Sequence, residues 1–204
     1  MAAARPSSPV FRASLIAATL WLAACAHRPV IPAASPGWPA QRAALLAQSQ
    51  FRFSGRLAVA AGSEGFSGGI DWRQQAAHAS LQLSGPMGFG SVQAEFDGES
   101  VSLGLGDGAQ LHGPLAREAL NRALGFELPL TSLSYWLRGC DDPAITADTS
   151  LDEQNRLSNL VQQGWQVSYE SYQRHGNLWL PQRLTLRRDT VRLRLVIQNW
   201  DLHG

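Results

Sequence analysis

Three features of the sequence predict a mainly β fold with a few helices, built as an antiparallel barrel or strongly curved sheet. From Gln50 onward apolar and polar residues alternate along most of the chain, the period of half-buried strands. Turn-forming clusters such as Gly62-Ser63, Asp97-Gly98 and Asp189-Thr190 interrupt that alternation at short intervals. Apolar residues at helical spacing are confined to three short stretches. About 10–11 strands in hairpin succession, with one helix in front and two inserted midway, favour a sheet that curls on itself. A barrel of this size can enclose a ligand cavity, with the helices placed to cover one mouth.

The chain opens with Arg5 and Arg12, an apolar run from Ala13 to Leu22 too short to cross a bilayer, and then Leu22-Ala23-Ala24-Cys25. A charged head, a short apolar stretch and small residues at the cut describe a secretory signal over residues 1–24 that is removed on export. The Leu-Ala-Ala-Cys ending resembles the lipobox of bacterial lipoproteins, which makes Cys25 the expected lipidation site. The alternative is an ordinary signal with an incidental cysteine. One acyl chain holds a protein only marginally, whereas several form a lasting anchor that does not cross the membrane. Residues 25–39, rich in Pro, Ala and Ser, read as a flexible tether, and residues 40–204 as a single domain.

Within that domain, residues 40–49 are good helix formers with Ala43, Leu46 and Ala47 on one face. Phe51, Phe53, Gly55, Leu57 and Val59 then alternate with Arg52, Ser54, Arg56 and Ala58 as a half-buried strand. Ile70 and Trp72, Leu81 and Leu83, Val92 to Phe96, and Val101, Leu103 and Leu105 mark four more. The alternation pauses at Pro114, which suits a helix entry. Leu115, Ala119, Leu120, Ala123 and Leu124 recur at helical spacing until Gly125. A second midway helix is expected over residues 131–138, closed by Gly139, with loop over 141–150. Strands resume at 154–160, Trp165 to Tyr169, Leu184 to Leu186 and Val191 to Ile197.

Composition narrows the function classes. All 17 basic residues are arginine, set against 16 acidic ones, and the net charge of +1 argues against a nucleic-acid partner, which needs a basic excess. With Cys25 lipidated, Cys140 has no partner for an internal disulfide. The five histidines lack ligand spacing, so no metal or other cofactor is expected. Gly65-Phe66-Ser67-Gly68-Gly69 matches the Gly-x-Ser-x-Gly pattern of lipases, but that motif works on a strand-to-helix elbow. The alternation after Ser67 continues as a strand, so the chain is not read as an enzyme.

Three other stretches carry chemistry. Gly85-Pro86-Met87-Gly88-Phe89 joins two strands, yet holds two large apolar side chains among glycines and a proline. On a membrane-tethered protein such a tip is a candidate for dipping into lipid; folding back on the core is the alternative. The inward rows Leu57/Val59, Ile70/Trp72, Leu81/Leu83, Val101/Leu103/Leu105 and Leu193/Leu195/Ile197, with Trp136, suit the lining of an apolar cavity or an ordinary packed core. Arg183, Arg187, Arg192 and Arg194 share one face of the last hairpin, either a solvated face or a surface for acidic headgroups or acidic protein.

The lipobox, Gly85-Pro86-Met87-Gly88, Leu128-Pro129-Leu130 followed by Leu133 and Tyr135-Trp136-Leu137-Arg138-Gly139, Gly164-Trp165, Leu180-Pro181 and Trp200 form an ordered set across nearly the whole mature chain. That set resembles the LolB family. The resemblance implies an unclosed antiparallel barrel of the LolA/LolB type, with helices against its mouth and an apolar interior. It also implies a monomeric receptor on the periplasmic side of the outer membrane. Such a receptor takes lipoproteins from the periplasmic carrier LolA, holds their acyl chains and passes them into the phospholipid of the inner leaflet. The family's exposed apolar loop residue, usually leucine, falls on Met87, which keeps volume and flexibility. Gly139-Cys140-Asp141 stands where the family commonly carries Gly-Leu-Pro, and Ala26 after the lipidated cysteine fits passage to the outer membrane. Two other functions fit the residues: a scaffold of an envelope assembly with a packed core, or a binder of another amphiphile.

Overall fold

The computed structural model describes residues 37–85, 92–98, 100–104 and 108–202. The expected signal, Cys25, most of the tether, Pro86, Met87, Gly88, Phe89 and Leu105 lie outside the described residues. Among the described residues eleven strands form one antiparallel sheet: β1 (Gln50–Ala61), β2 (Glu64–Gln75), β3 (His78–Ser84), β4 (Val92–Asp97), β5 (Ser100–Gly104), β6 (Gln110–His112), β7 (Asp148–Leu151), β8 (Leu157–Gln162), β9 (Trp165–His175), β10 (Leu178–Arg188) and β11 (Val191–Asp201). Their order is β6-β5-β4-β3-β2-β1-β11-β10-β9-β8-β7. Every neighbour in the sheet is a neighbour in sequence except β1 and β11, whose pairing puts the first and last strands at the centre. The short strands β6 and β7 are the two open edges, so the barrel is unclosed.

Among the described residues three helices accompany the sheet: α1 (Trp38–Ala47), α2 (Gly113–Leu124) and α3 (Leu130–Arg138). None is long and apolar enough to cross a membrane. Helix α1 starts before the expected residue 40 because Pro39 fits the first turn, where its missing N–H is not needed. Both midway helices stop where expected, at Gly125 and Gly139 in left-handed conformation. Gly139 has φ 83°, and a Cβ there would stand 3.0 Å from Pro181 Cγ, so both backbone and space require glycine.

Three strand assignments differ from the sequence-based expectation. β7 overlaps the end of the stretch 141–150 expected as loop, and all four of its residues are exposed, so it has no alternation to read. β6 has three residues and one half-buried apolar side chain, Leu111, too short for a period. β8 begins at Leu157, later than residue 154, because Asp152 closes a tight turn. Its carboxylate accepts the backbone N–H groups of Gln154 and Arg156 at 3.0 and 2.9 Å, with Asn155 at φ 59°.

The strands alternate as their sequences suggest: in β1, Phe51, Phe53, Leu57 and Val59 are buried while Arg52, Arg56, Ala58 and Ala60 are exposed. All three helices pack on the inner face so defined. Near the start of β1 that face is filled by aromatic rings. Phe53 stacks on Trp72 with centroids 6.4 Å apart, Trp200 lies 5.2 Å from Phe53, and Phe96 lies 6.0 Å from Trp72. A second aromatic group, Phe126, Trp165 and Trp136, lies between the helices and β9. Trp136 donates from Nε1 to Gln162 Oε1 at 2.7 Å, and Tyr169 donates from its hydroxyl to the Trp136 carbonyl at 3.0 Å.

Candidate functional site

Toward the opposite end of β1 and β2 the inner face is not filled. The inward row of β2 runs Trp72, Ile70, Gly68, Phe66, so one side chain is missing at Gly68. A Cβ at that position would collide with the carbonyl oxygen of Ser84, where the end of β3 passes close over β2. Glycine therefore permits the close approach, and the backbone of Ser84 and Gly85 takes the place of a side chain there. Between these strands and the C-terminal half of α2 lies an open cavity of about 710 Å³. Its walls are Val59, Phe66, Leu83 and Val92 from strands and Leu120, Ala123 and Leu124 from α2, completed by Gly65, Ser67, Ser84 and Gly85. None of these described lining residues is ionisable. Such a wall recognises a ligand by apolar area. Gly85 and Val92, which flank residues 86–91 in the sequence, both stand in this wall. A groove of about 340 Å³ shares Val59, Gly65, Ala123 and Leu124 with the cavity and runs on to Thr190 and Val191.

A second depression of about 740 Å³ is chemically different, with Arg117, Glu127, Asp142 and Arg188 in its wall. Hydrocarbon laid there would displace water from charges without replacing its hydrogen bonds, which is unfavourable. The apolar cavity is the candidate site.

At the filled end of the inner face, α1 and α3 are locked by two arginines. Arg42 donates from Nε and Nη2 to the two carboxylate oxygens of Asp141, both at 2.6 Å. Those bonds hold the Asp141 carboxyl below the usual carboxylate range. Arg138 is buried and forms no ion pair among the described residues. It donates to the carbonyls of Leu45 at 3.0 Å and Ser134 at 3.1 Å, and also to that of Gln48. The last carbonyls of α1 carry the negative end of the helix dipole, which offsets the buried charge. Phe51 and Tyr135 face the guanidinium at 5.2 and 4.9 Å. Burial still lowers the affinity of Arg138 for its proton. Cys140, next to this pair, is fully buried, and desolvation pushes its thiol up to about 12.

A family model described as "Outer membrane lipoprotein LolB" matches residues 49–200. The chain belongs to the LolB family. The outer-membrane lipoprotein LolB of Pseudomonas fluorescens is 31% identical over 163 residues, 80% of each chain. That of Stutzerimonas stutzeri is 31% identical over 186 residues, covering 89% of this chain and 90% of the relative. Among solved structures, a LolA superfamily protein from Nitrosomonas europaea superposes with a TM-score of 0.51 over 80% of this chain and 94% of its own, at 8% identity, a likeness of fold. LolB is a family of outer-membrane lipoproteins and not of hydrolases. The Gly-x-Ser-x-Gly segment accordingly lies wholly within strand β2, with no helix behind Ser67.

Within this LolB chain the residues expected to line a cavity divide by position. Val59 and Leu83 stand in the cavity wall. Leu57, Ile70, Leu81, Val101 and Leu103 are buried on the same inner face. Trp72 belongs to the aromatic plug, Trp136 to the bonded pair with Gln162, and Leu193, Leu195 and Ile197 to the sheet centre. Reading the sequence missed Phe66, Val92, Leu120, Ala123 and Leu124 as wall residues. The helical spacing of Leu120, Ala123 and Leu124 was legible, but which neighbour that stripe faces is a tertiary fact.

Proposed function

We propose that the protein is an outer-membrane receptor that accepts lipoproteins from the periplasmic carrier LolA by taking their acyl chains into the apolar cavity. It then releases them into the inner leaflet of the outer membrane. The observation that carries this reading is a cavity of about 710 Å³ with no ionisable group among its described lining residues. On the order of ten shielded methylenes are worth ~8 kcal/mol against water, so moving a chain from cavity to cavity to bilayer avoids the aqueous step. No bond is broken and no nucleotide is needed. A family of outer-membrane lipoproteins supports the location, and the neighbouring LolA-type fold supports a shared mode of holding lipid. In this reading Cys25 carries the anchor, the domain faces the periplasm as a monomer, and Met87 and Phe89 in the loop Gly85-Pro86-Met87-Gly88-Phe89 enter the phospholipid. Leu57, Val59, Ile70, Leu81, Leu83, Val101, Leu103 and Leu105 are proposed acyl contacts. So are Trp72, Trp136, Leu193, Leu195 and Ile197.

The test uses the chain without residues 1–25, mixed with a purified carrier–lipoprotein complex and with liposomes. Cargo should move to this chain and then to the liposomes. Met87→Glu should keep capture and lose delivery. Failure of the unaltered chain to capture cargo overturns the receptor reading, and undiminished delivery by the Glu variant removes the loop from the mechanism.

A further inference from the structure

The outer face of the sheet, on the side away from the helices, is unevenly charged. Strand pairing brings Arg56 of β1, Arg192 and Arg194 of β11, and Arg183 and Arg187 of β10 into one exposed patch. Arg192 stands between Ala60 and Arg187 across the three strands, and Val196 stands between Arg56 and Arg183. With strands ~4.8 Å apart and alternate residues ~7 Å apart, five guanidinium roots share a small lattice. Like charges directly opposite one another, as at Arg187 and Arg192, destabilise a sheet unless something answers them. Within the patch the answering carboxylate is Glu170 of β9, while Asp71 of β2, elsewhere on the same face, pairs with Arg52. Glu170 accepts from the Thr185 hydroxyl at 2.7 Å and reaches Arg194 only at 3.5 Å. Arg56, Arg183, Arg187 and Arg192 have no ion pair among the described residues. In a protein of net charge +1 this is a segregation of charge.

Position adds a second argument. Arg187 and Arg192 flank the turn at Asp189-Thr190, and the groove leading out of the apolar cavity ends at Thr190 and Val191. The patch thus rises from the same end of the sheet as the cavity. Between the arginines lie Ala58, Ala60, Thr185 and Val196, small side chains that build no pocket for a shaped ligand. A smooth face recognised by charge density suits a layer of phosphates, to which arginine binds in bidentate fashion.

We propose that the arginine face of β1, β10 and β11 docks on anionic phospholipid headgroups and so holds the domain with its cavity end against the bilayer. This inference rests on the reading that the cavity empties into lipid. It concerns a surface opposite the cavity, and its test is separate.

The experiment uses the mature, lipid-anchored protein with Ala60→Cys, an exposed site beside Arg192, carrying an environment-sensitive fluorophore. Cys140 is buried and does not compete for the label. In vesicles of phosphatidylethanolamine with phosphatidylglycerol the emission should shift to the blue relative to phosphatidylethanolamine alone. The shift should vanish at about 1 M salt, where the screening length is ~3 Å. It should also vanish with Arg183→Gln, Arg187→Gln and Arg192→Gln together, and persist when the same three become lysine. Capture of a fluorescent acyl probe checks that each variant is folded. Equal emission in both vesicles, or a shift that appears only when a purified carrier protein is added, overturns the proposal. Should the unaltered protein take up no acyl probe, the cavity reading fails while the fluorophore still reports on the face.

Discussion

Filling the cavity should abolish most of its affinity for hydrocarbon without unfolding the domain, and Ala123→Trp is the cleanest way to do so. Ala123 is an exposed position on α2 whose side chain stands in the cavity wall, so no core contact is lost on replacement. Tryptophan in place of alanine costs a surface helix about 0.5 kcal/mol, small against the stability of a domain. The indole adds about nine heavy atoms to the space that a chain would occupy. Displacing about four methylenes, at ~0.8 kcal/mol each, removes ~3 kcal/mol, or about 200-fold in affinity. Titration with a fluorescent fatty-acyl probe measures the change, with Ala58→Trp on the outer face of β1 as the matched control. Urea unfolding checks that the two variants are equally stable. If both variants bind the probe as tightly as the unaltered protein, the space between β1–β4 and α2 is not the acyl site.

Other consequences are independent of the cavity. Arg138→Leu removes the side-chain donor from the carbonyls of Leu45, Gln48 and Ser134, of which Leu45 still accepts the Gln48 N–H at 3.2 Å, so the urea midpoint should fall by the equivalent of about 1–3 kcal/mol. The Asp141 carboxyl has a lowered native pKa, so its contribution is complete above about pH 4, the unfolded value. That contribution is lost as pH falls through the native value. Asp141→Asn should therefore cost about 1 kcal/mol at pH 7, and the gap from the unaltered protein in thermal unfolding should close in acid. With its thiol pushed up to about 12 and fully buried, Cys140 should resist iodoacetamide at neutral pH in the native state and react once the protein is unfolded in urea.

Much of this architecture could be read in the chain before folding, because it depends on local periodicity. The alternation of Phe51 to Val59, of Leu81 and Leu83, and of Val191 to Ile197 assigns each side chain to the inner or outer face whatever the sheet does next. Gly125 and Gly139 end their helices through their own backbone freedom. Elements without a period, the exposed strand β7 and the three-residue β6, were invisible for the same reason.

What tertiary structure alone decided is where the inner face is packed and where it is empty. Trp72 and Phe66 occupy the same inward row of one strand, yet Trp72 is sealed against Phe53 and Phe96 while Phe66 borders open space. The difference lies in what faces each of them from distant parts of the chain: aromatic rings in one case, an open cavity walled by Leu120, Ala123 and Leu124 of α2 in the other. The arginine patch is equally non-local, since pairing of β1 with β11 brings Arg56 beside residues near the other end of the sequence. Sequence period determines which way a side chain points, because that is a property of the strand. What it meets there is set by long-range packing.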